Sequence, residues 1–252
     1  MMKPSNIQIE EDHLCVISDL HLGNPAFLRS DYLKSFLMHL SRERTSLCIN
    51  GDGIDLLQCT TRKLLKDLRS AVKSFKHFIS QGSKKKVYYV LGNHDTHLEP
   101  YLAELGIFSF TPFLEVVSGG RRIHIEHGHA YDYRYNHFPK LFHHLSKVLG
   151  KLLIISPNLF HLFFKIEWFF HVRKNKKVNG PNSVLVDAHG NFSAARDLFA
   201  RGFDIVILAH THLHGLQVME NGKIFANAGA WTSGKLHYLE IKQGAISLKE
   251  WY

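Results

Sequence analysis

Short apolar runs recur along the chain at 14–18, 47–50, 87–91, 123–126 and 204–209. Each is brief, rich in aliphatic residues and followed by a polar or glycine-bearing stretch, the pattern of a buried β-strand. Between several of these runs the apolar spacing changes to three and four. Leu33, Phe36, Leu37 and Leu40 share one face of a helix predicted over 32–40, with Ser30 as its N-cap. Leu64, Leu68, Val72, Phe75 and Ile79 do the same over 63–79, and a third helix over 192–200 stops at Gly202. Strands alternating with helices predict a layered α/β fold. After His212 short strands at 216–219, 223–226, 236–241 and 246–251, joined by Asn221-Gly222 and Gln243-Gly244 turns, predict a C-terminal meander.

The stretch 133–182 breaks this alternation. It is rich in Phe, Leu, His and Lys, reads as helical throughout and falls between two strand–loop units, so it predicts a helical insertion over the loop end of the sheet. One face carries Leu159, Leu162, Phe163, Ile166 and Phe170, and another carries Phe160, Phe164, Trp168 and Val172. Basic residues flank both: Lys140, Lys147, Lys151, Arg173, Lys174, Lys176 and Lys177. Two apolar faces bordered by cations suit an interfacial membrane contact or a lipid-phosphate ligand. Packing against the domain or against another subunit accounts for the same pattern, and both readings stand.

The chain has 252 residues, 45% of them apolar, enough for a core without disulfide support. Its three cysteines, Cys15, Cys48 and Cys59, form no disulfide framework and no paired metal motif, which fits a reducing, cytoplasmic setting. Residues 1–12 lack the apolar stretch of a secretory signal. The longest apolar region, 152–172, is broken by Pro157, Asn158, His161, Lys165 and Glu167, so no membrane span is expected. Contact with the cytoplasmic face of the inner membrane would then be peripheral. Lys and Arg outnumber Asp and Glu by 31 to 22, a net charge of +9, which favours phosphorylated substrates, nucleic acid or an acidic membrane surface. No nucleic-acid-binding module accompanies that charge, so nuclease activity ranks lower.

Nineteen histidines change the picture more, through where they fall. Five motifs follow five predicted strands: Asp19-Leu20-His21, Gly51-Asp52-Gly53-Ile54-Asp55, Gly92-Asn93-His94-Asp95, His127-Gly128-His129 and His210-Thr211-His212. In open α/β sheets ligands bind beyond the carboxyl ends of the strands. Carboxylate, imidazole and amide oxygen without thiolate suit manganese, iron or zinc in a reactive rather than a thiolate-bound structural site. A pair of metals needs a shared anion, and Asp52, in a Gly-flanked turn after a buried strand, is the best candidate. Any one motif alone fits a plain turn or a surface pair; five in this order do not.

These motifs resemble the calcineurin-like metallophosphoesterases, whose pattern is D-x-H, G-D-x-x-D, G-N-H-[DE], a His usually followed by Gly, and G-H-T-H. The likeness runs from Leu14 to about Trp231, with Ala209 in place of the usual glycine. It implies a β-sandwich flanked by helices, one metallophosphoesterase domain over 1–252 with the helical insertion as a lid, and hydrolysis of a phosphodiester or pyrophosphate with two divalent ions, manganese foremost. It further implies that Asp19, His21, Asp52 and His212 hold the first metal and Asp52, Asn93, His127 and His210 the second. His94 would act as general acid with Asp95 orienting or charge-stabilising it, Asp55 would support the Asp52 loop, and Asn93, His94 and His210 would face the substrate. A scaffold that keeps the fold without catalysis would have lost ligands, and none is lost.

Within that family the layout is most similar to the UDP-2,3-diacylglucosamine pyrophosphatases of lipid A synthesis. The His-Gly motif followed by a long helical insertion, the run 191–212 and the ending Asn227-Ala228-Gly229-Ala230-Trp231 carry the likeness. It implies release of UMP and a lipid monosaccharide phosphate, with the lid accommodating acyl chains. That group has Arg where this chain has His94, and His-Gly-Asp where it has His127-Gly128-His129. The His94 form is the general family pattern, so a soluble phosphodiesterase or phosphatase acting on nucleotides or other phosphate esters stays open.

Overall fold

The computed structural model describes residues 7–25, 27, 30–82, 85–98, 100, 103–132, 136, 137, 144, 145, 148, 191–219, 221–232 and 236–252. The expected helical insertion over 133–182 lies outside the described residues apart from five isolated positions.

Twelve strands form two six-stranded sheets among the described residues. The chain order is β1 (Ile7–Glu10), β2 (His13–Ile17), α1 (Ser30–Leu40), β3 (Ser46–Asn50), α2 (Thr61–Ser80), β4 (Val87–Val90), β5 (Phe108–Thr111), β6 (Phe113–Ser118) and β7 (Arg121–Glu126). There follow α3 (Asn191–Ala200), β8 (Ile205–Ile207), β9 (Gly215–Val218), β10 (Ile224–Asn227), β11 (Leu236–Lys242) and β12 (Ala245–Trp251). The first sheet runs β12-β11-β2-β3-β4-β5 and the second β1-β6-β7-β8-β10-β9. In the first, β2, β3, β4 and β5 are parallel neighbours and β11 and β12 close the sheet antiparallel. In the second, β7, β8 and β10 run parallel.

The layers follow from which faces are apolar. Strands β3 and β4 are buried throughout, as parallel strands covered on both faces must be. Leu14, Val16, Cys48, Tyr88 and Val90 of the first sheet meet Leu114, Val116, Ile123, Ile125, Ile205 and Ile207 of the second, forming the core between the sheets. The other face of the first sheet packs on α1 and α2 through Leu33, Phe36, Leu37, Ala71, Phe75 and Phe78. The outer face of the second packs on α3 through Ala195, Leu198, Val206, Leu208 and Phe225. The layered α/β expectation therefore holds, as a sandwich of two sheets between two helical layers.

Three details differ from the expectations. Strands β1 and β5, at sheet edges, and β6, between β1 and β7, were not predicted by the apolar runs; β6 shows the alternation of a strand buried on one side only. The C-terminal strands are two hairpins in different sheets, β9–β10 in the second and β11–β12 in the first, because the segment after Asn227 crosses between them. Ser30 is the first residue of α1 rather than its cap. Helix α2 is capped, with Thr60 Oγ1 accepting from Lys63 N–H at 3.3 Å.

Candidate metal centre

Five loops leave the carboxyl ends of β2, β3, β4, β7 and β8 and converge at one end of the sandwich. Backbone hydrogen bonds stitch them together. Asp19 N–H donates to Gly51 O and His21 N–H to Asp52 O, at 3.1 and 2.9 Å. Ala209 N–H donates to His127 O at 3.0 Å, and Trp231 N–H to Asp19 O at 3.1 Å. Glycine permits the closest approaches. A Cβ on Gly51, at φ +78°, would stand 2.1 Å from His127 Nδ1, and one on Gly92 would stand 2.2 Å from Asp52 Oδ1.

The backbone is left-handed at Asp19, His21, Asp52, His210 and His212, with φ between 49° and 68°. Among the described residues only Gln243, in the β11–β12 turn, shares that conformation without being glycine. Asp and His tolerate this region better than most residues, yet five such positions within one cluster mark a place where aim is kept at the expense of backbone comfort.

The side chains meet in three overlapping groups: Asp19, His21 and His212; His21, Asp52 and His94; and Asp52, His127 and His210, with their ligand atoms within 4.8 Å of one another in each. Asp52 Oδ2 is 3.3 Å from His127 Nε2, 3.9 Å from His94 Nε2 and 4.0 Å from His21 Nε2. Asp52 Oδ1 accepts from His94 N–H at 2.9 Å. His212 Nε2 lies 3.3 Å from Asp19 Oδ1, and Asn93 Oδ1 lies 3.3 Å from His127 Nε2. Every residue predicted to bind metal thus falls in this cluster. Asp19 is fully buried, yet neither carboxylate oxygen accepts a hydrogen bond. A buried carboxylate faced only by the His212 and His21 imidazoles suits a cation site, and the mixed carboxylate, imidazole and amide set suits a divalent ion.

The outward nitrogens of the histidines are held by fixed acceptors. His21 Nδ1 pairs with Asp55 Oδ2 at 3.2 Å, and His127 Nδ1 with the Asn50 carbonyl at 3.0 Å. His94 Nδ1 pairs with Asp55 Oδ1 at 3.0 Å. Asp55 is fixed in turn by the N–H groups of Leu57 and Gln58, both at 2.9 Å, and by Asn24 Nδ2 at 2.8 Å. Asp95, expected to orient or charge-stabilise His94, makes no hydrogen bond to it. Its carboxylate accepts instead from Gly53 N–H, Tyr89 O–H and Gly92 N–H, at 2.8, 2.6 and 2.8 Å, clamping two of the loops. Its charge reaches His94 only as a minor influence. Asp132 was not anticipated: its Oδ2 lies 3.2 Å from His210 Nε2. Its position five residues after His127 in a turn-forming stretch was the only signal.

Electrostatics explains how so many charges share a dry site. Burial would push Asp52 up, but His127 and His94 hold it well below the carboxylate range. Burial opposes the charge on His127 and His94, and the Asp52 carboxylate beside them, with Asp55 beside His94, outweighs it, raising them to about 10 and about 9. Burial and the charge of His127 push His129 down to about 4, leaving it neutral. Without metal, protonated imidazoles balance the carboxylates.

The profile of the calcineurin-like phosphoesterase family matches residues 13–214. No curated protein matches significantly. Among solved structures, a dimetal phosphatase from Danio rerio shares 12% identity over 94% of this chain and 95% of its own, with a TM-score of 0.51. Vacuolar protein sorting 29 from Cryptosporidium parvum shares 16% over 95% and 96%, with a TM-score of 0.44. A predicted phosphoesterase from Streptococcus pneumoniae shares 11% over 95% and 98%, with a TM-score of 0.42. At 12% identity the likeness to the dimetal phosphatase is one of fold.

Proposed function

The chain belongs to the calcineurin-like phosphoesterase family, and from that premise we propose that it hydrolyses a phosphodiester or pyrophosphate bond at a dinuclear metal centre. The observation that carries this reading is the place of Asp52, a buried carboxylate standing between two histidine clusters. In this reading Asp19, His21, Asp52 and His212 hold one ion, and Asp52, Asn93, His127 and His210 hold the other. Manganese fits the donor set, with iron and zinc as alternatives. Bound there, two divalent ions supply a nucleophile from water at neutral pH and neutralise the phosphoryl oxygens.

The chain's own groups do the rest. Asp55 accepts the Nδ1–H of His94 and so turns Nε2 into the site, where it donates a proton to the leaving-group oxygen. In the metal-free protein the Asp52 and Asp55 carboxylates beside His94 raise it to about 9 against the effect of burial. Asn93, His94 and His210 face the substrate phosphate, and the Asp95 clamp keeps the Gly53 and Gly92 loops in register.

Two substrate classes follow. A lipid-linked nucleotide, UDP-2,3-diacylglucosamine, is supported by the sequence layout around His127 and by the aromatic, basic composition of 133–182. Its corollary is peripheral membrane contact through that segment; no helix among the described residues is long and apolar enough to cross a membrane. A soluble phosphate ester is supported by the His94–Asp55 pair, which is the general acid of a broader class. The test is hydrolysis with manganese present of UDP-2,3-diacylglucosamine, bis-p-nitrophenyl phosphate and nucleotides. Turnover that ends on chelation supports the reaction class. UMP release confined to the lipid substrate selects the first reading, and turnover of the soluble esters alone selects the second. No metal-dependent turnover of any of them contradicts both.

A further inference from the structure

Among the histidines of the centre, His210 is held by a residue that no motif contains. Asp132 Oδ2 lies 3.2 Å from His210 Nε2, and the two side chains are 2% and 9% exposed. Asp132 ends the short 3-10 turn His129–Tyr131, and its own N–H donates to His129 O at 3.2 Å. Gly128, at φ 94°, starts that turn. The chain leaving β7 therefore curls back and delivers a carboxylate to the loop after β8, 78 residues further along. His210 also lies within ligand range of Asp52 and His127.

We infer that Asp132 is a positioning residue for the second metal: its carboxylate accepts from His210 Nε2 and fixes the orientation of that ring. This rests on the reading of His210 as a ligand. A carboxylate behind a ligating imidazole orients the ring and strengthens it as a donor, and its loss typically costs roughly 10- to 100-fold in metal affinity. The first metal's pocket has the same device in Asp55 behind His21. Each pocket thus holds one imidazole braced by a carboxylate outside its own ligand set. A buried carboxylate is costly unless paired, so Asp132 is hard to replace by chance.

The test is manganese titration of the whole protein followed by electron paramagnetic resonance. It compares wild type, Asp132→Ala, Asp132→Asn and His210→Ala, with thermal unfolding of each metal-free protein alongside. Wild type should take up two ions and give an exchange-coupled spectrum. Asp132→Ala should bind the first ion normally and the second roughly 10- to 100-fold more weakly, giving an uncoupled spectrum at matched metal. Asp132→Asn, which keeps an acceptor oxygen but not the charge, should fall between and unfold like wild type; it carries the test if the alanine variant does not fold. If both Asp132 variants bind the second ion as tightly as wild type while His210→Ala does not, the positioning role is overturned and the ligand assignment stands. If His210→Ala itself binds two ions normally, the ligand assignment fails and the inference falls with it.

Discussion

The two sheets bring different chemistry to the same end of the molecule. The loops of the first sheet supply the carboxylates, Asp19, Asp52, Asp55 and Asp95, together with Asn93, His21 and His94. The loops of the second supply imidazoles, His127, His210 and His212, with Asp132 behind one of them. Neither half completes the site. Alone, the first would be a pocket of buried negative charge, and the second would lack the Asp19 and Asp52 carboxylates that stand beside His212 and His127. Closing the sandwich brings His127 to 3.3 Å from Asp52, and burial of the aliphatic core between the sheets drives that closure. Folding and assembly of the centre are therefore one event.

The sharpest way to break the comparison is to remove the anion shared by both halves. Asp52→Ala should lower turnover by roughly a thousandfold or more, since metal ions contribute several kcal/mol to the transition state. Metal analysis should show a loss of ions in parallel; full occupancy would end the bridging role. His94→Ala should cost about 10²- to 10⁴-fold in turnover, the usual worth of a general acid, with metal content intact. An unchanged rate would remove His94 from the chemistry.

A smaller effect should come from the seam between the sheets. Gly51→Ala places a Cβ 2.1 Å from His127 Nδ1 at a left-handed backbone position. It should cost about 1–3 kcal/mol in denaturant unfolding for the backbone alone and displace His127 from the Asn50 carbonyl. A variant as stable as wild type would show that the two loops do not meet as described.

A further test is one of pH. In the metal-free protein His94 and His127 are raised from 6.5 to about 9 and about 10. Groups raised on folding stabilise the folded protein fully below their unfolded value and lose that contribution as pH rises through the folded one. The metal-free unfolding midpoint should therefore fall between pH 6.5 and about 10. Excess manganese should flatten the slope, because a ligating imidazole carries no proton. Identical slopes with and without metal would contradict the pairing of protons with carboxylates.

How far this comparison could be read from the sequence depends on distance along the chain. The five motifs were legible because each is local: a buried strand, then a turn with Asp, Asn or His at its tip. Parallel strands put all such tips at one end, so Asp19, Asp52, Asn93, His127 and His210 could be placed together from the sequence. Bracing partners were not legible. Asp55 meets His94 39 residues away, and Asp132 meets His210 78 residues away; neither separation leaves a periodic trace. Asp95 was assigned by adjacency to His94, but a neighbour in sequence leaves a tight turn in another direction, here toward Tyr89 and Gly53. The C-terminal hairpins were recognisable by their turn residues, whereas the sheet each joins depends on the crossing after Asn227, which turn chemistry does not encode.

The central claim is that one carboxylate from the first sheet joins two metals, the second of them held by loops of both sheets. Anomalous diffraction from manganese-loaded crystals tests it most directly. Two peaks roughly 3.5–4 Å apart are expected, both in contact with Asp52. One should be flanked by Asp19, His21 and His212 and the other by Asn93, His127 and His210. A single peak, or two peaks of which only one touches Asp52, would contradict it.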